Sequence, residues 1–96
     1  MGIEKILVVD DEPLIRDLLR DILKEEGYEV SIAKEGLSAL KKIKKEEVDL
    51  VITDVKMPGL DGIKLLKEIK KVSPSTLVIV ITAYGTIENA VEAMKE

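Results

Sequence analysis

The spacing of apolar residues changes back and forth along this chain between short continuous runs and helical stripes, and few folds accommodate that alternation. Ile6-Leu7-Val8-Val9 is continuous and ends in acids, as expected of a strand buried on both faces. Pro13 then suits the first turn of a helix, where its missing N–H costs nothing. Leu14, Ile15, Leu18, Leu19, Ile22 and Leu23 recur every three or four residues, which predicts one wide apolar stripe, and Gly27 stops the helix as a left-handed cap. The cycle repeats. Val30-Ser31-Ile32-Ala33 alternates, as a strand near a sheet edge does, and Leu37, Leu40 and Ile43 mark a second helix. Leu50-Val51-Ile52 is a second buried strand ending at Asp54. The turn-rich Met57-Pro58-Gly59-Leu60-Asp61-Gly62 leads into a helix through Ile63, Leu66 and Ile69, which Ser73-Pro74 breaks. Leu77-Val78-Ile79-Val80-Ile81 is the most apolar strand, and Ile87, Val91 and Met94 begin a fourth helix that reaches Lys95-Glu96 with neither Gly cap nor Pro stop. Four strands alternating with four helices through short loops predict an α/β fold, a doubly wound parallel sheet with right-handed crossovers.

Composition removes several functions. At 96 residues there is room for one domain. Its net charge of −4, with acids and bases interleaved, argues against a direct nucleic-acid partner, and without Phe or Trp there is little to stack on bases. The absence of cysteine and histidine excludes disulfides, thiol nucleophiles, zinc-thiolate sites and imidazole catalysis. Chemistry is left to carboxylates, hydroxyls, lysines and backbone. The apolar run near the N-terminus is too short for a signal peptide or a membrane span, so no membrane partner and a cytoplasmic location are expected.

In parallel α/β sheets ligands bind at the carboxyl ends of the strands. Here the first strand ends in Asp10-Asp11, followed by Glu12, the third in Asp54 and the fourth in Thr82. Three carboxylates gathered on one rim repel one another and call for a hard cation; with oxygen ligands alone, Mg2+ is the expected cofactor. A single Asp at such a place can instead cap the next helix, as Asp11 ahead of Pro13 could.

Val8-Val9-Asp10-Asp11-Glu12-Pro13, Asp54-Val55-Lys56-Met57-Pro58-Gly59-Leu60-Asp61-Gly62 and Ile81-Thr82-Ala83-Tyr84-Gly85 closely resemble the response-regulator receiver domain of two-component signalling systems. The Thr-Ala-Tyr-Gly segment is similar to nitrogen-regulator receivers that drive sigma-54 activators and to sporulation-phosphorelay receivers. The resemblance implies a flavodoxin-like sheet ordered 2-1-3-4, with Asp54 taking a phosphoryl group from a sensor histidine kinase or phosphotransfer protein. It implies that Asp11 and Asp54 hold Mg2+ directly, Asp10 through a water, and the Lys56 carbonyl completes the set. Thr82 would bond the phosphoryl group and draw in the loop at Ala83 and Tyr84. Pro58 and Gly59 would shape the turn beside the site, with Lys56 and Tyr84 flanking the phosphate.

The family pattern continues with a fifth strand carrying a Lys and a last helix, so residues 1–96 are expected to be a receiver domain incomplete at the C-terminus. No lysine here stands in the matching motif. Without a fifth strand, Leu77, Val78, Ile79, Val80 and Ile81 form an exposed apolar edge, along which two chains are expected to pair as a homodimer. Two other readings are a truncated or engineered fragment whose site is idle, and a magnesium phosphatase of the haloacid-dehalogenase type. The latter needs Asp-x-Asp on the first strand, where this chain has Asp10-Asp11. Under the receiver reading the chain is a phosphoacceptor and not a turnover enzyme.

Overall fold

A computed structural model of the protein describes residues 2–56 and 59–81. Within them the predicted alternation holds: β1 (Lys5–Val9), α1 (Pro13–Glu25), β2 (Glu29–Ala33), α2 (Gly36–Lys45), β3 (Leu50–Asp54), α3 (Gly62–Val72) and β4 (Leu77–Ile81). The expected fourth helix through Ile87, Val91 and Met94 lies outside the described residues. The strands form one parallel sheet ordered β2-β1-β3-β4. This is the flavodoxin-like order that the resemblance implied, with β2 at one edge as its alternating pattern predicted.

Because strand side chains alternate, β1 and β3 feed two cores. Leu7, Val9, Val51, Val78 and Val80 meet Ala39, Ile43, Leu65, Leu66 and Ile69 of α2 and α3 on one face. Ile6, Val8, Leu50 and Ile52 face the other way, where Leu19 and Leu23 of α1 pack with Tyr28, Val30, Ile32 and Ile79. The helix ends follow local chemistry. Gly27, at φ 97°, closes α1 with its N–H on the Lys24 carbonyl, and Tyr28 N–H reaches the Leu23 carbonyl; together these form a Schellman cap. Asp61 caps α3 by accepting from Lys64 N–H at 2.9 Å. Far from the acid rim, Asp49 accepts from the backbone N–H groups of Glu4 and Lys5, both at 2.9 Å, tying the start of β1 to that of β3. Those donors, Lys5 N–H foremost, hold its carboxyl below its ordinary range.

Burial is uneven along these helices. The α1 stripe is not a buried face: no residue of α1 is fully buried, and Leu14, Ile15, Leu18 and Ile22 are exposed. The helix lies over β1 and β2, so Leu19 and Leu23 reach the sheet, while among the described residues nothing packs on its outer flank. In α2, Leu37 points to solvent, while Leu40 and Ile43 of the same pattern pack inward beside Gly36 and Ala39. Gly36 takes that place because a Cβ there would stand 2.7 Å from the Leu60 carbonyl oxygen and 2.9 Å from Leu60 Cβ. The close approach seats the β3–α3 loop against α2.

These contrasts set an expected stability difference. Leu66→Ala opens a cavity between α3 and the sheet and should cost about 2–5 kcal/mol in urea unfolding. Leu18→Ala, at a position 56% exposed, should cost less than about 1 kcal/mol. Comparable losses for the two would show that the outer flank of α1 is covered.

Candidate functional site

Parallel pairing of β1 with β3 places Val9 opposite Thr53, so the residues that follow, Asp10 and Asp54, emerge side by side on the carboxyl rim. Asp11 joins them. One carboxylate oxygen from each of Asp10, Asp11 and Asp54 lies within 4.8 Å of the other two. Asp10 is buried, Asp54 half-buried and Asp11 exposed, so the group opens to solvent on one side.

Asp10 is the most constrained of the three. Its N–H donates to the Ala33 carbonyl (3.1 Å), its Oδ1 accepts from Glu12 N–H (2.9 Å), and its carbonyl accepts from Arg16 Nη1 (3.3 Å). Burial pushes its carboxyl above the ordinary value of 3.8; the Glu12 N–H pulls it back, and the charges of Asp54, Asp11 and Glu12 push it up again. Asp11 does not cap α1. The N-cap position belongs to Glu12, without a side-chain cap bond, and Asp10 makes the local turn through its bond to Glu12 N–H.

Asp54 ends β3 and is held from below. Thr53, buried, donates its hydroxyl to the Asp54 carbonyl at 3.1 Å, and Val55 N–H bonds the Ile81 carbonyl of β4 at 2.9 Å. Gly62 N–H reaches the Val55 carbonyl at 3.0 Å, and a Cβ at Gly62 would collide with the Asp54 carbonyl oxygen and stand 2.9 Å from Val55 Cα. The two loop glycines therefore differ in purpose: Gly59 supplies a left-handed turn at φ 77°, and Gly62 lets α3 abut the Asp54 backbone. Lys56, exposed, turns its N–H toward Asp54 Oδ1 at 3.4 Å. Pro58, Thr82, Ala83 and Tyr84 lie outside the described residues. The supports that sequence reading missed are Arg16, Gly36 and Thr53. Only Gly36 carried a signal, as a glycine at the start of a predicted helix.

The donor set suits a hard divalent cation: three carboxylates and no nitrogen or sulfur ligand, gathered within 4.8 Å of one another and open to solvent on one side. A cation would also offset the mutual repulsion that burial makes worse at Asp10.

The profile of the response regulator receiver domain matches residues 6–96. The chain belongs to this family. The transcriptional regulatory protein ZraR of Klebsiella oxytoca is 46% identical over 94% of this chain, which spans only 20% of that relative. Sporulation initiation phosphotransferase F of Bacillus subtilis is 47% identical over 88% of this chain and 68% of its own length. The chain thus spans about a fifth of the length of the larger regulators it matches. Among solved structures, response regulator TrrA of Thermotoga maritima in complex with Mg(2+)-BeF superposes with a TM-score of 0.85 at 44% identity, covering 97% of this chain and 83% of that one. TrrA in complex with histidine kinase ThkA gives 0.81 at 48% identity, covering 86% of this chain and 72% of that one. This receiver domain of a two-component system carries an acidic cluster consistent with a phosphoacceptor site, and over most of its length it is similar both to that sporulation protein and to the NtrC4 receiver domain, at 45% identity with a TM-score of 0.85, covering 95% of this chain and 75% of that one.

The electrostatics of Asp10 predict a pH dependence. A carboxyl whose folded-state value is raised binds protons more readily folded than unfolded. The contribution of Asp10 to stability without metal is therefore greatest at low pH and falls as pH rises from the ordinary value of 3.8 through the raised one. Asp10→Asn keeps an oxygen for Glu12 N–H and removes that charge. In chelator, its melting temperature should exceed wild type near neutral pH, with the gap closing toward about pH 3. A variant less stable than wild type at neutral pH would contradict this electrostatic account.

Proposed function

We propose that this receiver accepts a phosphoryl group on Asp54 from the phosphohistidine of a sensor kinase or phosphotransfer protein. The observation that carries the reading is the convergence of Asp10, Asp11 and Asp54 on one rim, with carboxylate oxygens within 4.8 Å of one another. An oxygen of Asp54 forms the new bond to phosphorus as the phosphorus–nitrogen bond of the donor breaks. The imidazole leaves and takes up a proton, and Asp54 becomes an acyl phosphate. Bound magnesium would supply charge neutralisation at the phosphoryl oxygens. Asp10, Asp11 and Asp54 would hold it, with the Lys56 carbonyl as a further ligand. The chain's own work is positioning: Thr53 and Gly62 fix the backbone of Asp54, so its carboxylate meets the donor from a set direction. Thr82 is assigned the hydrogen bond to the phosphoryl group that turns the loop at Ala83 and Tyr84, with Pro58 and Gly59 shaping the turn beside it.

The kinase complex of TrrA supports a histidine-kinase partner for this chain as well. The second partner proposed is another copy. β4 stands at the end of the described sheet with Leu77 and Ile81 about half exposed, and pairing along that edge would satisfy its backbone groups. Sedimentation showing only monomer at micromolar concentration would eliminate this pairing. The receiver is a stoichiometric acceptor, modified once per cycle, and not a turnover enzyme.

Incubation with acetyl phosphate and magnesium, followed by intact mass, tests the acceptor chemistry. The expected result is a single phosphoryl adduct that requires magnesium and is absent from Asp54→Asn. A folded chain that takes up no adduct has an idle site, the one outcome that favours the fragment reading.

A further inference from the structure

Among the described residues, one buried side-chain nitrogen has no hydrogen-bond partner, and it belongs to Arg16. Its Nε lies 3.9 Å from Asp17 Oδ1, beyond hydrogen-bonding range, and the side chain is only 17% exposed. An arginine sunk beside carboxylates ordinarily grips one of them through two parallel bonds. Arg16 does something different: Nη1 donates to the backbone carbonyl of Asp10 at 3.3 Å.

That carbonyl belongs to the planar peptide linking Asp10 to Asp11. Fixing its oxygen limits the rotation of the plane, and with it the direction in which Asp11 leaves the strand. The first turn of α1 has few other anchors. No α1 residue is fully buried and Glu12 gives no side-chain cap, so the packing of α1 does not by itself seat the acid-bearing loop. Two contacts join that turn to Asp10: Glu12 N–H on Oδ1, and Arg16 on the carbonyl.

We infer that Arg16 is a positioning residue for the cation site, clamping the Asp10–Asp11 peptide to α1 so that both carboxylates face Asp54. The inference rests on the reading that these three acids hold a divalent cation. It assigns Arg16 a role through geometry and leaves the carboxylates themselves to the metal. A purely electrostatic role gives the opposite sign: a nearby positive charge repels a cation, so its removal would tighten binding.

Calorimetric titration of the whole chain with magnesium alone decides between them, at a temperature where circular dichroism shows each variant folded. Arg16→Met keeps the apolar stem and loses the donor, and is expected to bind magnesium about tenfold more weakly than wild type. Arg16→Lys keeps the charge on a shorter stem and should fall between the two. Arg20→Met serves as the control: Arg20 is one turn further along and pairs with Asp17 and Asp21, so magnesium binding should be unchanged. Equal or tighter binding by Arg16→Met overturns the clamp. Should that variant not fold, Arg16→Lys decides: weaker binding than wild type supports the clamp, and wild-type binding overturns it. A wild-type chain that takes up no magnesium would sink the site reading itself, and the clamp with it.

Discussion

The register between two parallel strands is the constraint on which the site depends. β1 and β3 are central, hydrogen-bonded neighbours, and their pairing ends with Val9 opposite Thr53. One residue further along each chain stand Asp10 and Asp54, separated by more than forty positions in sequence and adjacent on the rim. A one-residue slip would move the inward side chains of either strand to the opposite face, so the two apolar cores and the acid pair are specified together. Core packing thereby opposes the repulsion that would otherwise separate the carboxylates.

Around that register the supports are unequal. Asp54 is fixed by the sheet on one side and by α3 on the other, through Thr53, the Val55 N–H bond to β4, and the Gly62 N–H bond to Val55 with the close approach of Gly62. Gly36 adds a second contact by accepting Leu60 of the same loop against α2. Among the described residues Asp11 has no such scaffold. It follows Asp10 into a helix whose outer flank is exposed, so its placement depends on the short loop and on polar contacts to Asp10. Asp54 thus sits on rigid structure, and Asp11 sits on the less supported element.

Most of the strands and the acid rim were legible in the sequence, because continuous apolar runs ending in Asp are read directly as buried parallel strands. Gly27, Asp54 and the Asp10-Asp11 pair needed only local chemistry and the topology rule for strand ends. Periodicity located α1, α2 and α3 but did not tell which residues of each stripe are covered. Leu14, Ile15, Leu18 and Ile22 have the spacing of a core face, but spacing records only which side chains share a side, not what covers them. Leu37 is exposed for the same reason, while Leu40 and Ile43 of the same pattern pack inward beside the small Gly36 and Ala39. Arg16, Thr53 and Asp49 were missed because each acts through a backbone atom of another residue, near or far in sequence, and no residue pattern encodes such a bond.

The central claim is that strand register builds one cation site from three separate acids. Paramagnetic broadening by Mn2+ in an isotope-labelled sample tests it most directly, since it both locates the ion and shows whether one site fills. The account predicts that amide signals of residues 10–12 and 54–56 broaden together along a single saturation curve, and that added magnesium reverses the effect. Broadening centred on the glutamates of the helices, or separate saturation of the two segments, would contradict it.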